Sequence, residues 1–332
     1  MRSMSGPAVS VVIPTHNRFH LLPRAIDSVV AQTVADWEIV LVDDGSTDDT
    51  PALAERYATQ LRERWVYLRG PRRGSSAARN RGIDAARAEF VAFLDSDDEF
   101  APRKLERQLT LFRLQPQLGL VYSDFSFIDL AGAVHASVFE EKFPIARAAA
   151  CRSVAPGLYV CTQPLFDTLI RGYFIATIVG MIRRTTLGSN IRFRENLSYA
   201  EEWLFFLEAA RAAAAGFVDE PLSIHHFTAG SLARTDAQSN LARYTDVLRA
   251  ILTQFPDLTR SQRAGVRANL AQASRQLAYG ALKDQRPADA LSHFATALRQ
   301  QPRLRSVVEL LHAATTMARP ASAAHPQPHS AR

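Results

Sequence analysis

The sequence predicts an α/β domain over residues 1–235, with a mostly parallel sheet flanked by helices. An all-α extension over 236–318 and a disordered tail over 319–332 follow it. Three observations carry this reading. Between Ala8 and Leu130, short β-rich runs alternate with longer segments of helical period, the pattern of a sheet covered on both faces. Several of the strand runs are apolar throughout, as doubly covered strands are. Beyond about Leu241 only helical periodicity remains.

The strands expected in order are VSVVIP (Val9 to Pro14), EIVLVD (Glu38 to Asp43), WVYLR (Trp65 to Arg69), FVAFLD (Phe90 to Asp95) and LVYSDFSF (Leu120 to Phe127). Between them LLPRAIDSVVAQ, DDTPALAERYATQLRER and SSAARNRGIDAARA repeat apolar positions at three and four residues and read as crossover helices. The stretch from Ala131 to Phe174 mixes isolated apolar residues with Pro and Gly and reads as irregular. Regularity returns with YFIATIVGMIRR, then with a helix YAEEWLFFLEAARAAAAG ended by Gly216, then with a last strand FVDEPLSIHHF. In the extension, Ala290, Phe294, Ala297 and Pro302 stand at the spacing of one tetratricopeptide unit, and an ordinary helical hairpin accounts for them equally well. A single repeat cannot bury its own face, so packing on the first domain or on another chain is expected. The end, ARPASAAHPQPHSAR, is rich in Pro, Ala and Ser and is expected to be disordered.

Composition removes several classes. With 47% hydrophobic and 22% charged residues the chain of 332 is ordinary globular material. Two cysteines are too few for a disulfide framework or a four-cysteine zinc site, so a reducing compartment, the cytoplasm, is expected. No signal-peptide pattern is read at the N-terminus. The longest apolar run, Tyr173 to Ile182, is about half of a membrane span and reads as a buried element. Net charge is +6, and 13 Lys and Arg against 5 Asp and Glu from Leu241 onward give +8 there, leaving −2 for residues 1–240. Those arginines are scattered through helical segments with no nucleic-acid motif, so no nucleic-acid partner is expected. A basic extension of this kind is suited to peripheral contact with anionic lipid at the inner face of a membrane, and a merely solvated helical face explains it too. Nothing in the pattern specifies an oligomeric state.

In an open α/β sheet ligands bind beyond the carboxyl ends of the strands. There the chain places PTHNR after the first strand, DDGSTDDT after the second, GPRRGSSAARNRG before the third helix and DSDDE after the fourth. Neither G-x-G-x-x-G nor G-x-x-x-x-G-K-[ST] occurs, which disfavours dinucleotide oxidoreductases and P-loop NTPases. Without a glycine cradle, bound phosphates need another counter-charge, and a metal held by aspartate would supply it. Taken alone, DDGS is also a turn sequence and DSDD an acidic helix start. Their order at successive strand ends favours a site.

The run VSVVIPTHNRFHLLPRAIDSVVAQTVADWEIVLVDDGSTDDT, followed by SSAARNRGIDAARAEFVAFLDSDDEFAP, resembles the opening of a family 2 inverting glycosyltransferase of GT-A fold. YAEEW resembles that family's acidic ED motif. The resemblance implies a sugar-nucleotide donor, a glycan or lipid-linked acceptor, and Mg²⁺ or Mn²⁺ as cofactor, with a role in cell-surface glycan or polysaccharide synthesis. It implies that Pro14, Thr15 and His16 line the base pocket, that Asp43 or Asp44 accepts a hydrogen bond from the base, and that Arg79 holds the nucleotide. Asp95 and Asp97 match the D-x-D motif, Asp95 toward ribose or metal and Asp97 as the metal ligand. Asp98 is either a third contact or a helix cap. The matched base position is Glu202, where the family has Asp, with Glu201 beside it as the other choice. A histidine or basic residue after the last strand would reach the metal. His226 is the first choice here, with His225 and Thr228 as competing registers.

Two other functions compete with this one. A sugar nucleotidylyltransferase would carry a glycine-rich N-terminal loop, which VVIPTHNRFH lacks. A non-catalytic sugar-nucleotide-binding scaffold that recruits partners through its helical extension would be expected to have lost the acids that this chain keeps.

Overall fold

The structure is a computed structural model and describes residues 6–141, 151–228 and 237–302, with 307, 308 and 310. It contains two compact units, Met1–Thr235 and Asp236–Arg332.

The strands of the first unit are β1 (Val9–Thr15), β2 (Trp37–Asp43), β3 (Trp65–Arg69), β4 (Phe90–Phe93), β5 (Glu99–Phe100), β6 (Leu118–Ile128), β7 (Val134–His135), β8 (Cys151–Ala155), β9 (Leu158–Cys161), β10 (Gly180–Arg183) and β11 (Ala214–His226). Its helices are α1 (Leu22–Val30), α2 (Thr50–Leu61), α3 (Ser75–Ala85), α4 (Lys104–Leu114), α5 (Val138–Glu141), α6 (Leu165–Leu169), α7 (Arg184–Leu187) and α8 (Glu201–Ala212). One sheet runs in the order β3-β2-β1-β4-β10-β6-β11-β9-β8. β3, β2, β1 and β4 pair in parallel, as do β6 and β11, and β10 lies antiparallel between β4 and β6.

Every residue of β1 and β2 is buried, which is why these strands lack an apolar-polar alternation and read as continuous hydrophobic runs. α1 buries Leu22, Ala25, Ile26 and Val29, one stripe at three- and four-residue spacing. With parallel strands feeding such helices, the carboxyl ends of β1, β2 and β4 come to one edge, where the polar loops gather.

Three expectations change. Gly216 does not end a helix: α8 stops at Ala212, and Gly216 lies within β11, where an added Cβ would stand 2.8 Å from Leu111 and Leu118. Its lack of a side chain allows close packing. YFIATIVGMIRR divides into a 3₁₀ turn, Thr177–Val179, and the short antiparallel β10. The stretch read as irregular contains β7, α5, β8, β9 and α6, none longer than five residues. Elements that short show no period in a sequence, yet β9 extends the sheet by pairing with β11. Residues 142–150 of that stretch lie outside the described residues.

The second unit is helical: α9 (Ala237–Gln254), α10 (Arg260–Lys283) and α11 (Pro287–Gln300). Thr259 caps α10 in a reciprocal box with Gln262, satisfying two otherwise unpaired backbone donors. α10 and α11 form a hairpin whose seam buries Ala278, Ala281, Ala290 and Phe294, with Ala297 also buried on α11. The tail expected to be disordered, 319–332, lies outside the described residues. Among the described residues no helix is long and apolar enough to cross a membrane.

Candidate active site

A cavity of about 780 Å³ opens at the carboxyl edge of the sheet, and its polar walls come from well-separated places in the chain. The end of β1 gives Pro14, Thr15 and His16; the loop after β4 gives Asp95 to Asp98; α3 gives Ser75 and Arg79; α8 gives Glu201 and Glu202; β11 gives His225.

The floor under the β1 end is built by the two aspartates after β2. Asp43 is fully buried, accepts from the Ser46 N–H at 2.7 Å and from the Tyr67 hydroxyl at 2.8 Å, and does not line the cavity. Asp44 does line it, and takes the N–H groups of Arg73 and Gly74, each at 2.7 Å. The DDG turn needs its glycine: Gly45 has φ +80°, and a Cβ there would stand 3.0 Å from the Arg72 nitrogen. Both carboxylates hold the neighbouring loops, Asp44 at the cavity wall and Asp43 from behind it.

Arg79 is the hub. It is buried, donates to Asp95 Oδ1 at 2.7 Å and to Glu201 Oε1 at 2.9 Å, and lies 5.3 Å over the Phe193 ring. Burial alone would favour its neutral form, but Asp95, Glu201 and Glu202 outweigh it and hold the guanidinium charged. The sequence assigned Arg79 to the nucleotide; the structure places it between two pairs of acids.

On one side of the hub lies the acidic loop. Asp97 accepts from the Thr228 hydroxyl at 3.2 Å, and Arg18 comes to 3.9 Å of the same oxygen. Asp98 is buried and accepts from the His226 N–H at 2.9 Å, with His225 Nδ1 at 3.0 Å. Burial pushes the Asp98 carboxyl up to about 6 against the opposing pull of His225. Burial would lower the His225 imidazole, but the hydrogen bond and charge of Asp98 prevail and raise it to about 8. The two histidines thus part company: His225 faces the cavity, whereas His226 is absent from its walls and meets Glu99 at 2.6 Å. The first choice by sequence, His226, is absent from the cavity wall, and Asp98, which lines it, is also bonded to His225 and to the His226 N–H of β11.

Among the described residues no three His, Cys, Asp or Glu side chains converge to hold a metal ion unaided. The donor set nevertheless fits a hard divalent cation arriving with a diphosphate, because such ions are bound by one or two carboxylates together with phosphate oxygens and water. Asp95 and Asp97, both on the cavity wall, are the residues that would hold it.

On the other side of the hub, α8 begins after Ala200, a non-glycine residue in the left-handed region at φ 51°. Glu201 accepts from Arg79 and from the Ser75 hydroxyl at 3.1 Å. Glu202 accepts from the Tyr173 hydroxyl. Burial first, then the charge of Glu201, push Glu202 up to about 7, against Arg79 and Tyr173, which favour its anion. The remaining wall is apolar and aromatic, with Phe125, Phe127, Ile178, Tyr199 and Phe227.

Sequence reasoning missed Arg18 and Tyr173. Arg18 stands in PTHNR, close enough to the motif to have been weighed with it, whereas Tyr173 opens the apolar run Tyr173 to Ile182, which read only as a buried element.

A mostly parallel sheet flanked by helices, with an acid-lined cavity at its carboxyl edge, is the architecture of the GT-A fold. Residues 10–133 match the family described as Glycosyl transferase family 2. Through its N-terminal unit the chain belongs to that family. An uncharacterised glycosyltransferase of Rickettsia felis is 32% identical over 225 residues, 67% of this chain and 33% of the relative. The chain spans between about a third and a half of the length of the first curated relatives it matches. Among solved structures, S. aureus TarS 1-349 in complex with UDP-GlcNAc shares the fold at TM-score 0.65 and 19% identity, over 93% of this chain and 88% of that one. The mannosyltransferase PcManGT from Pyrobaculum calidifontis, in complex with GDP-Man and Mn²⁺, aligns at TM-score 0.52 and 16% identity, over 95% and 82%.

Proposed function

We propose that the protein transfers a sugar from a nucleotide-diphosphate donor to an acceptor hydroxyl with inversion at the sugar carbon, in the synthesis of a cell-surface glycan or polysaccharide. The observation that carries this reading is the single cavity walled at once by Pro14 to His16, by Asp95 and Asp97, and by Glu202. Pro14, Thr15 and His16 take the base. Asp95 and Asp97 hold a Mg²⁺ or Mn²⁺ brought in with the donor, and the neighbour solved with GDP-Man and Mn²⁺ supports that assignment. When bound, the ion supplies Lewis-acid stabilisation to the departing diphosphate. Asp98 holds His225 at the cavity beside these acids.

Inversion requires a base to take the proton of the acceptor hydroxyl on the face opposite the leaving group. Glu202 takes that role. Its carboxyl titrates near 7, and a base is most effective when its pKa lies close to the working pH. Glu201 is tied to Arg79 and Ser75, which leaves it the supporting role. The aromatic wall of Phe127, Tyr199 and Phe227 receives the acceptor.

The test is a donor screen that follows nucleotide diphosphate release across UDP-, GDP- and dTDP-sugars with Mn²⁺ or Mg²⁺, with the anomeric configuration of the product read by NMR. Turnover of one base class with inversion is the expected result. Retention of configuration, or no turnover of any donor, would overturn the reading.

A further inference from the structure

Glu202 is one of two adjacent glutamates in the first turn of α8, and the hydroxyl that meets it comes from a different part of the chain. Tyr173 lies just beyond α6, which is fixed to α8 where the Trp203 indole donates to the Leu169 carbonyl at 2.8 Å. The Tyr173 and Trp203 rings pack 6.2 Å apart. The phenol is therefore held by the same contact that joins the two helices, and its hydroxyl ends on Glu202 Oε1. Ala200, strained at φ 51°, sets the direction in which α8 presents both acids.

We propose that Tyr173 is the positioning residue of Glu202: its hydroxyl holds the carboxylate at the cavity wall in the anionic form that accepts a proton. This rests on the reading of Glu202 as base. The charged and titratable groups around Glu202 are Glu201 on α8, Arg79 from α3, Tyr199 from the segment before α8, and Tyr173. Arg79 is divided between Asp95 and Glu201, and Tyr199 feels the charge of Glu202 without a hydrogen bond to it. Tyr173 is the side chain among the described residues that donates a hydrogen bond to this carboxylate. A phenol donor favours the anion and opposes the burial that favours the acid. Removing it makes the base harder to deprotonate while the donor pocket stays intact.

The experiment uses the full chain with ¹³C at the glutamate carboxyl carbons, and the Glu202 signal is assigned by its loss in Glu202→Gln. Its titration midpoint is compared in wild type, Tyr173→Phe and Tyr199→Phe. Tyr173→Phe moves the midpoint upward by about one unit, the size of shift a lost hydrogen bond to a charged group produces, and Tyr199→Phe does not. With the donor selected by the screen, the acid limb of turnover moves by the same amount, and nucleotide binding stays within about twofold. An unmoved midpoint and limb in Tyr173→Phe overturns the proposal while leaving Glu202 as base. Full turnover in Glu202→Gln overturns the base assignment and this proposal together. If Tyr173→Phe does not fold, replacing tyrosine globally by the more acidic 3-fluorotyrosine gives the opposite sign, a lowered midpoint, and an unchanged or raised midpoint overturns the proposal.

Discussion

The two acid pairs that flank Arg79 are built alike and set differently. In each, one member is bound to the guanidinium, Asp95 at 2.7 Å and Glu201 at 2.9 Å, and the other stands on the cavity wall without it. Around Asp97 are a hydroxyl and a second cation, Arg18 at 3.9 Å. Around Glu202 are burial, a like charge on Glu201 and a phenol. The first setting is polar and cationic, and the second, where burial pushes the carboxyl up to about 7, suits an acid that exchanges a proton near neutral pH. One arginine thus holds two acid pairs, and what differs is the surroundings of its partners' neighbours.

The largest effect expected from breaking the comparison is on the Asp97 side. Asp97→Ala and treatment with EDTA should each abolish transfer, and Mn²⁺ or Mg²⁺ should restore the chelated wild type but not the variant. Full activity in chelator would remove the distinction between the pairs.

Cutting the hub comes next. Arg79→Met leaves Asp95 and Glu201 without their buried partner, and loss of one member of a buried ion pair costs about 3–5 kcal/mol. Denaturant unfolding should show that loss at pH 7.

A smaller effect sharpens the contrast. Native Glu202 binds its proton more tightly than the unfolded chain does, about 7 against the ordinary 4.5, so native stability falls as pH rises through that window. Glu202→Gln should therefore stabilise the protein at pH 8 by on the order of 2 kcal/mol and leave it nearly unchanged below pH 4.5. Equal stability at both pH values would mean that the carboxylate is better solvated than its surroundings imply.

Lys104 is the reference for burial without a mechanism, and the smallest change expected. It is fully buried, donates to the Val179 carbonyl at 3.3 Å, sits 4.8 Å over the Phe100 ring, and is pushed down to about 7 by burial. The unfolded chain holds that proton more tightly, so native stability rises with pH between about 7 and 10.5. Lys104→Met should flatten this rise and add roughly 1 kcal/mol at pH 7, because it removes a buried charge while keeping the chain length. Thermal melts at pH 7 and pH 10 compare the two.

Much of this arrangement was legible in the sequence, for physical reasons. β1, β2, β4 and most of β6 are buried on both faces and so declare themselves as apolar runs, whereas β3, at the sheet edge, is half-buried; the polar loops at their ends must share an edge. Asp95 and Asp97 stood out because clustered acids at a strand end need a counter-charge, and Glu202 through the resemblance of YAEEW to the family's acidic motif. The choice between His225 and His226 did not stand out, because neighbours on a strand face opposite ways and a slip of one residue exchanges them. The register that decides it is set by Asp98 from another element, and by β5, where Glu99 pairs with Ile224. Tyr173 opened an apolar run that read only as a buried element, and its hydroxyl's partner depends on how α6 packs on α8. The antiparallel insertion of β10 between β4 and β6 was likewise invisible, since no local signal states which neighbour a four-residue strand will choose.

The central claim is that Glu202, and not its neighbour, takes the acceptor proton. Single-turnover transfer by Glu202→Gln and Glu201→Gln, with donor affinity measured by calorimetry on the same samples, tests it most directly. The account predicts that Glu202→Gln lowers transfer by roughly 10²-fold or more with donor affinity nearly unchanged. Glu201→Gln should lose less in transfer and more in stability, because it weakens the bond to Arg79. Transfer lost in the Glu201 variant and kept in the Glu202 variant would contradict the account and move the base one residue along the helix.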